Sequence, residues 1–401
     1  MAAEIMTFVP HGDLYLVLTF PSEEEQQPAP VKVINCDGSS GGNNDVTNPA
    51  FLTSNGNPSL SDMDVESSGG QESVQKSPKQ IKMLVSSQCL MAASPVFRAM
   101  LQRNKFKEGH DLASGNAEID LLDDDPSAFE ILANIIHLRN RKVPHEVNLK
   151  TATNLSVLVD KYQMLEVVET YLPLWLPGLK KSLPESFTAD LIPWLSVAWV
   201  FKFAVEFKHL TRILQLESWD LVGGGLEQQL PIPSSILEKT EDFRQRAISF
   251  AITVLVGLME KYKGSKTNCK LVVSERPNQG KGDCDDLILG SLIRSADKNG
   301  LFPVPEEPFR GTTVKSIIQK LRALRVVALC DKYLMPKWDS ADWTKPSRPK
   351  AGHGVMEFID TEMITLERII DGFELSDSIR QHQVPKNASS PEKDLINSAP
   401  F

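Results

Sequence analysis

The stretch that decides the fold is residues 81–109, IKMLVSSQCLMAASPVFRAMLQRNKFKEG. Residues 81–85 are an apolar run typical of a buried strand, and the residues after them have the length and spacing of a helix that ends before Ser94-Pro95. A serine followed by a proline favours the start of another helix, because the serine caps the first turn and proline suits the first helical position. The segment therefore predicts a strand followed by two helices, with Phe97 facing the interior.

The flanking sequence continues this alternation of short strands and helices. Residues 118–122 predict another strand, and the acidic turn 123–126 ends in a proline placed to begin a helix. A further amphipathic helix ends in Asp-Lys-Tyr at 160–162. Upstream, the run 13–18 is rich in β-formers and predicts one more strand.

In order, spacing and residue choice, this region resembles the BTB/POZ domain, a protein-interaction fold without a catalytic centre. The resemblance covers 12–18 and 81–176. It implies an α+β fold, a small sheet with a helical cluster, in which Ser94 caps a helix and Tyr162 is a packed anchor in the core. The chain departs from the family at Ser86, because members usually carry histidine at that position.

Homo-oligomerisation is left open by the resemblance. Many dimeric members carry a helix before the first strand that exchanges onto the partner. The short stretch before Asp13 contains Pro10 and does not match such a helix, so an exchanged dimer is not expected. The rest of the usual interface, around 88–91, could still pair with a second copy.

The resemblance also supplies the candidate interaction site, Phe106, Lys107 and Glu108. In BTB proteins that serve as substrate adaptors of cullin-type ubiquitin ligases, a hydrophobic residue and a glutamate in this loop contact the cullin. The apolar side chain would act as an anchor and the carboxylate would fix the orientation. The alternative is purely structural, with the phenylalanine tucked under its own loop and the glutamate solvated.

Composition divides the chain into segments. Residues 1–176 are the predicted BTB/POZ domain, interrupted at 22–80 by a segment rich in Ser, Gly, Asn, Pro and Gln that is predicted to be disordered. The remainder is predicted as an all-helical region at 184–266, a polar loop at 267–300, a continuation of the helical region at 301–382 and a disordered tail at 383–401.

Two predicted helices of the C-terminal half have complementary charges. Their apolar stripes are Val314, Ile317, Leu321, Leu324 and Ala328, and Ile359, Met363, Leu366, Ile370 and Phe373. The outer face of the first is basic and includes Arg322 and Arg325, whereas that of the second is acidic. We expect the two helices to pack together, held mainly by the apolar stripes, since an exposed ion pair contributes only ~0–1 kcal/mol.

Composition and charge exclude several classes of function. A chain of 401 residues that is 41% hydrophobic can hold two or three domains with real cores. Its net charge of −9 argues against direct binding to nucleic acid or to a membrane surface. The apolar run 247–259 is too short to cross a bilayer. The cysteine usage predicts an intracellular location, in the cytoplasm or nucleus.

No catalytic, cofactor-binding or metal site is predicted. The five cysteines, at 36, 89, 269, 284 and 330, contain no CxxC pair, and the histidines show no HExxH motif. The stretch 279–283, QGKGD, lacks the Ser or Thr that follows the lysine of a phosphate-binding loop. Cys89 is interpreted as a small buried hydrophobe, and His137 as a helix-terminal residue that interacts with the helix dipole.

The sequence therefore predicts a protein–protein interaction scaffold rather than an enzyme. Its partners would be proteins: a cullin in the sharpest form of the hypothesis, and a second protein bound by the helical region. The alternative is a transcription-associated regulator that acts through BTB oligomerisation without its own DNA-binding module. An enzyme is the third hypothesis, and it would require a pocket where titratable groups converge.

Overall fold

The computed structural model describes residues 4–19, 80–102, 106–115, 117–121, 123–219, 230–269, 279–333, 337–339, 342–347 and 351–383. The predicted disordered insertion and tail lie outside these residues, apart from Gln80 and Gln383. The described part of the chain is a mixed α+β structure with many helices and a small four-stranded sheet.

The regular elements follow one another in this order. The strands are β1 (Glu4–Thr7), β2 (Leu14–Thr19), β3 (Gln80–Val85), β4 (Glu118–Leu121), β5 (Lys337–Asp339) and β6 (Asp342–Ser347). The helices are α1 (Ser87–Ala93), α2 (Pro95–Leu101), α3 (Lys107–Ser114), α4 (Pro126–Ile136), α5 (Leu149–Tyr162), α6 (Leu165–Val168), α7 (Leu172–Leu179), α8 (Leu191–Val200), α9 (Ala204–Glu217), α10 (Ser234–Lys263), α11 (Gln279–Lys298), α12 (Val314–Arg322), α13 (Val355–Ile369) and α14 (Leu375–Gln383). Short 3-10 helices span Asn140–Lys142, Lys180–Ser182, Leu329–Tyr333 and Ala351–Gly354.

The four-stranded sheet has the strand order β1-β3-β2-β4. Strands β5 and β6 form a separate two-stranded antiparallel sheet, so the prediction of an all-helical region is wrong at 337–347. Strand β2 pairs antiparallel with β3 and parallel with β4, and β1 pairs parallel with β3. Leu14, Leu16 and Leu18 of β2 are fully buried, because period-2 alternation places them on the face covered by helices. The edge strand β1 was not predicted, since its mostly exposed residues give no apolar alternation.

The predicted cap at Ser94 is confirmed. Its hydroxyl accepts a hydrogen bond from the Phe97 amide (3.1 Å) and donates one to the carbonyl of Tyr162 (2.7 Å). Phe97 stacks on Tyr162 with 4.5 Å between ring centroids, and Phe129 meets both rings edge-on. The cap of α2 is therefore tied directly to the end of α5 and to the aromatic centre of the core.

The acidic turn and the Asp-Lys-Tyr ending of α5 fit together. Asp125 caps α4 by accepting from the Ala128 amide at 2.7 Å. Asp124 is buried, accepts from the Tyr162 hydroxyl, and lies 2.6 Å from the Lys161 ammonium. Burial, together with the Asp124 hydrogen bond, raises the pKa of Tyr162 well above its usual range. The end of α5 therefore gives the Asp124 carboxylate a hydrogen-bond donor and a cation, without which its burial would be costly.

His137 ends α4, as predicted, but it interacts there by hydrogen bonding rather than by a charge on the helix dipole. Its Nε2 accepts from the Ser86 amide at 3.0 Å, and its Nδ1 lies 2.8 Å from the carbonyl of Ala133. Burial lowers the pKa of His137, and the nearby Arg139 also lowers it. The imidazole is therefore neutral at pH 7 and acts as a hydrogen-bond bridge between the end of α4 and the start of α1, rather than as a cation at the helix terminus.

The described helices build two hydrophobic cores that meet along α10. The sheet-side core contains the sheet, α1–α9 and the first turn of α10, where Ile236 and Leu237 are buried. The C-terminal core begins at Ala247 of α10 and includes α11, α12 and α13. The predicted boundary at 176–184 therefore does not separate the cores, because α8 is apolar on all sides and packs on α5. Among the described residues no helix is both long and apolar enough to span a bilayer.

The predicted polar loop at 267–300 is wrong over most of its length, because Gln279–Lys298 is the helix α11. Gly280 and Gly282 have low helix propensity and hide its start. Packing overrides that preference: Ile288, Leu292 and Ala296 lie at i, i+4 and i+8 and are fully buried in the C-terminal core.

The predicted pairing of α12 with α13 is confirmed. The Arg322 guanidinium donates to both oxygens of Glu367 (2.6 and 2.8 Å) and to Asp360 (2.9 Å). These carboxylates raise the pKa of Arg322 further above its usual range. The apolar stripe residues from Val314 to Ala328 are all buried, as is the α13 stripe except for the half-buried Phe373.

Candidate functional site

The predicted interaction residues lie at the start of α3, where the chain turns back against α2. Phe106 precedes the helix, Lys107 is its first residue and Glu108 lies in its first turn. Gly109 permits this close approach, since a Cβ added there would lie 2.4 Å from the carbonyl oxygen of Gln102. The glycine therefore sets the position of the three preceding residues beside α2.

Phe106 and Glu108 line a groove of about 420 Å³ on the surface of the sheet-side core. The other lining residues are Pro95, Val96, Ala99, Met100 and Gln163. The floor is therefore mostly apolar and is supplied by the outer face of α2. Lys107 is exposed and is not among the lining residues. The groove therefore combines an apolar surface with one carboxylate.

The structure decides between the two positions predicted for Phe106. The side chain is 55% exposed, so it is not tucked under its own loop. An exposed phenylalanine beside half-buried Val96 and Met100 leaves apolar surface in contact with water. Met100 packs partly against the sheet-side core and also lines this groove.

A second cluster gathers four potential metal ligands that the sequence did not bring together. Cys269 follows α10, Cys284 lies in α11, Cys330 lies in the 3-10 helix Leu329–Tyr333, and His353 lies in the turn before α13. One ligand atom from each residue lies within 4.8 Å of all the others. His353 Nε2 is 3.2 Å from Cys330 Sγ and 3.6 Å from Cys284 Sγ. No metal site was predicted from the sequence, yet the fold brings these four potential ligands together.

Two aspartates hold the backbone around this cluster, and each follows a cysteine in the sequence. Asp285 accepts from the amide of Asn268 at 2.6 Å, and so fixes the segment that leads into Cys269. Asp331 accepts from the amide of Gly352 at 2.9 and 3.1 Å, and so fixes the segment that leads into His353. Asp285, which follows Cys284, therefore positions Cys269, and Asp331, which follows Cys330, positions His353.

The turn that carries His353 has an unusual backbone. Gly352, His353 and Gly354 all have positive φ angles of 59°, 59° and 74°. Glycine adopts this region without strain, whereas histidine does so at a cost of about 1–3 kcal/mol. The two glycines therefore allow a tight turn that directs the histidine side chain toward the three thiols.

The cluster is buried. The exposures of Cys269, Cys284 and Cys330 are 5%, 1% and 6%, and the side chain of His353 is 14% exposed. Burial raises the pKa of Cys330 to about 12, and the neighbouring thiols raise it as well. A buried thiol that holds its proton is a poor nucleophile, so the short Cys330–His353 distance is not the signature of a catalytic pair.

The sequence contained a weak signal for this cluster. Cys284-Asp285 and Cys330-Asp331 repeat one dipeptide, and His353 is flanked by glycines. Each ligand comes from a different segment, however, and the familiar short spacings of metal motifs are absent. Only the packing of α10, α11 and α13 brings these segments together.

A larger cleft of about 610 Å³ lies where α5, α7 and α8 meet. Its charged lining residues are Glu146, Lys150, Lys181 and Asp190, and the lining includes neither histidine nor cysteine. Ser182, its only serine, donates its hydroxyl hydrogen bond to the carbonyl of Leu179. The cleft therefore offers no paired nucleophile and base. The expectation that the protein is not an enzyme stays a prediction.

Comparison with known proteins returned no similarity: no protein-family model matches the chain, and no curated protein or solved structure matches it either.

Proposed function

We propose that the sheet-side core is a BTB/POZ domain and that the protein is an interaction scaffold. The support is the residue pattern of 81–162 together with its packing. Ser94, Phe97, Asp124 and Tyr162 form one hydrogen-bonded and aromatic unit, in which Ser94, Phe97 and Tyr162 have the structural roles that the resemblance implies. A scaffold binds through surface grooves rather than enclosed pockets, and the α2–α3 groove is of that kind.

In its sharper form, the proposal makes the protein a substrate adaptor of a cullin-type ubiquitin ligase. The observation that carries it is the exposure of Phe106 at the edge of an apolar groove, with Glu108 beside it. Insertion of an apolar side chain of the cullin between Phe106 and α2 would bury surface that is now in water. Glu108 would orient the partner by pairing with a basic or amide group.

The C-terminal core would present the second partner. Several large apolar side chains of α13 and the segment after α12 face solvent: Val327, Phe358, Ile364 and Ile369. They lie on a core different from the one that forms the groove. Two proteins could therefore bind the chain at the same time, which is the property that an adaptor needs.

The test is binding of the purified full chain to the N-terminal domain of the host cullin. We expect a Kd near 1 μM or tighter, which corresponds to about −8 kcal/mol. Phe106→Ala and Glu108→Lys should each weaken binding by more than about tenfold, because both replace a group at the centre of the contact. Matched controls are Phe358→Ala and Glu357→Lys, neighbouring exposed residues on α13.

Undetectable binding of the wild-type chain would contradict the adaptor function. Equal losses in the groove variants and the α13 controls would contradict the assignment of the groove. A chain that self-associates and is recovered with chromatin proteins, without dependence on Phe106 or Glu108, would favour the transcription-associated regulator instead.

A further inference from the structure

We propose that Cys269, Cys284, Cys330 and His353 bind one zinc ion, which holds the C-terminal core together. This inference is independent of the function proposed for the groove, because the cluster belongs to the other core. The four residues offer three sulfur atoms and one imidazole nitrogen. That donor set is one of the established combinations for structural zinc.

The separations between the ligand atoms fit a tetrahedral zinc ion. Zn–S bonds of about 2.3 Å and Zn–N bonds of about 2.0–2.1 Å place sulfur and nitrogen about 3.5 Å apart, and two sulfurs about 3.8 Å apart, in a regular tetrahedron. The observed distances from His353 Nε2 to Cys330 Sγ and Cys284 Sγ are 3.2 and 3.6 Å. Since the remaining separations are within 4.8 Å, a central ion needs only small side-chain adjustments.

The surroundings of His353 match those of a zinc-bound histidine. Its Nε2 faces the thiols, and its Nδ1 faces Asp285 Oδ1 at 3.9 Å and the Tyr262 hydroxyl at 3.4 Å. Among the described residues, this Asp285 oxygen is buried and has no hydrogen-bond donor. Histidines that bind zinc commonly direct their second ring nitrogen to a carboxylate, which fixes the ring and strengthens the ligand.

The number of ligands makes the site structural. A catalytic zinc keeps one position open for water or substrate, whereas four protein ligands close the coordination sphere. The three cysteines are buried, His353 is partly buried, and the four residues come from four separate segments of the chain. A shared ion would therefore fix the end of α10, the start of α11, the 3-10 helix Leu329–Tyr333 and the turn before α13 relative to one another.

The first experiment is the zinc content of the full chain, expressed without a histidine tag and purified without chelator. We expect about one zinc per chain in the wild type and in Cys89→Ser, and less than about a fifth of that in Cys330→Ser, because a closed site needs all its ligands. Cys89 is the matched control, since it is a half-buried cysteine of the sheet-side core outside the cluster. Cobalt(II) added to the metal-stripped wild type should give the visible bands of tetrahedral cobalt with thiolate ligands.

A variant that leaves all four ligands in place covers the case in which Cys330→Ser fails to fold. Asp285→Asn should lose zinc to a competing chelator about 10–100-fold more readily than the wild type. Wild-type protein without zinc and without a cobalt spectrum would overturn the proposal. The proposal would also be overturned if Cys330→Ser retained zinc or if the wild type held another metal in place of zinc. A disulfide between two of the cluster cysteines in the purified chain would overturn it as well.

Discussion

The two cores of this protein are stabilised by different kinds of interaction. In the sheet-side core the centre is aromatic: Phe97 stacks on Tyr162, Phe129 meets both rings edge-on, and Ser94 and Asp124 bond to Tyr162 beside them. In the C-terminal core, polar side chains link segments that are distant in sequence. Arg244 reaches the loop before α12, and the cysteine–histidine cluster joins four segments. Truncation of a buried aromatic side chain leaves a cavity, whereas loss of one member of a buried polar link leaves its partners unpaired.

The segment between the cores has features of both. Helix α9 is apolar on the side of Phe207 and Leu210, but its buried Thr211 and Gln215 accept from the amides of residues 373 and 372. Gly372 is required there, because its φ is +79° and an added Cβ would lie 2.1 Å from the carbonyl oxygen of Lys208. The segment that follows α13 is therefore anchored on the sheet-side core by hydrogen bonds from its backbone amides to side chains of α9.

The largest effect is expected from Phe97→Ala. This side chain is fully buried at the aromatic centre, so its truncation should lower the free energy of unfolding by about 3–5 kcal/mol. Phe106→Ala is the matched control, because it removes the same atoms from an exposed position and should cost less than about 1 kcal/mol. Urea denaturation of both variants measures the difference, and equal losses would contradict the proposed core.

A loss of about 3 kcal/mol is expected from Arg244→Ala, at the edge of the C-terminal core. The buried guanidinium donates to the carbonyls of Pro308, Phe309 and Thr312 and pairs with Glu241, whose pKa it lowers. The substitution removes the guanidinium from all of these acceptors, although the carbonyl of Phe309 still accepts from the Thr312 amide at 3.2 Å. Arg246→Ala, on the exposed side of the same helix, is the control, and hydrogen exchange shows which core loosens. Unchanged protection at 301–313 in Arg244→Ala would count against this link.

A smaller effect is expected from Arg322→Glu. Reversal of this charge replaces contacts with Asp360 and Glu367 by repulsion, yet the three groups are partly exposed and screened by solvent. The loss should be about 1–2 kcal/mol, and it should shrink in high salt. Arg325→Glu is the control on the same exposed surface. Thermal melts at low and high salt measure both variants; a salt-independent loss would argue against electrostatic pairing.

The smallest effect concerns pH and lies in the sheet-side core. Burial lowers the pKa of His137 in the folded chain. Below about pH 6.5, His137 therefore takes up a proton in the unfolded chain more readily than in the folded chain. Stability should therefore decline as the pH falls from about 7.5 to 5.5. His137→Gln, which keeps an acceptor for the Ser86 amide, should flatten this part of the profile. If the melting temperatures of the two proteins changed with pH by the same amount, a neutral His137 would be contradicted.

The sheet-side elements could be predicted where the residues that specify them are neighbours in the sequence. Ser94 before Pro95 and Asp125 before Pro126 identify helix starts, because a cap and a first-turn proline act locally. The exposed strand β1 carries no such local signal and forms only because β3 has a free edge.

The C-terminal half was predictable only in part. The stripes and opposite charges of α12 and α13 were sufficient to predict that pair. Helix α11 was missed because the glycines at its start have low helix propensity. Its apolar stripe stabilises the helix only when the helix packs into the C-terminal core. The cluster around Cys330 was missed because its ligands meet in space and not in sequence. The exposure of Phe106 likewise depends on how closely Gly109 lets α3 approach α2.

The most direct test of the difference between the cores is hydrogen exchange on the full chain, before and after removal of zinc by a chelator. We predict faster exchange in α11, in Leu329–Tyr333 and at the start of α13, with unchanged protection of β2, β3 and α5. Identical exchange of the C-terminal segments in both conditions, or an equal loss of protection in both cores, would contradict a C-terminal core organised around a metal ion.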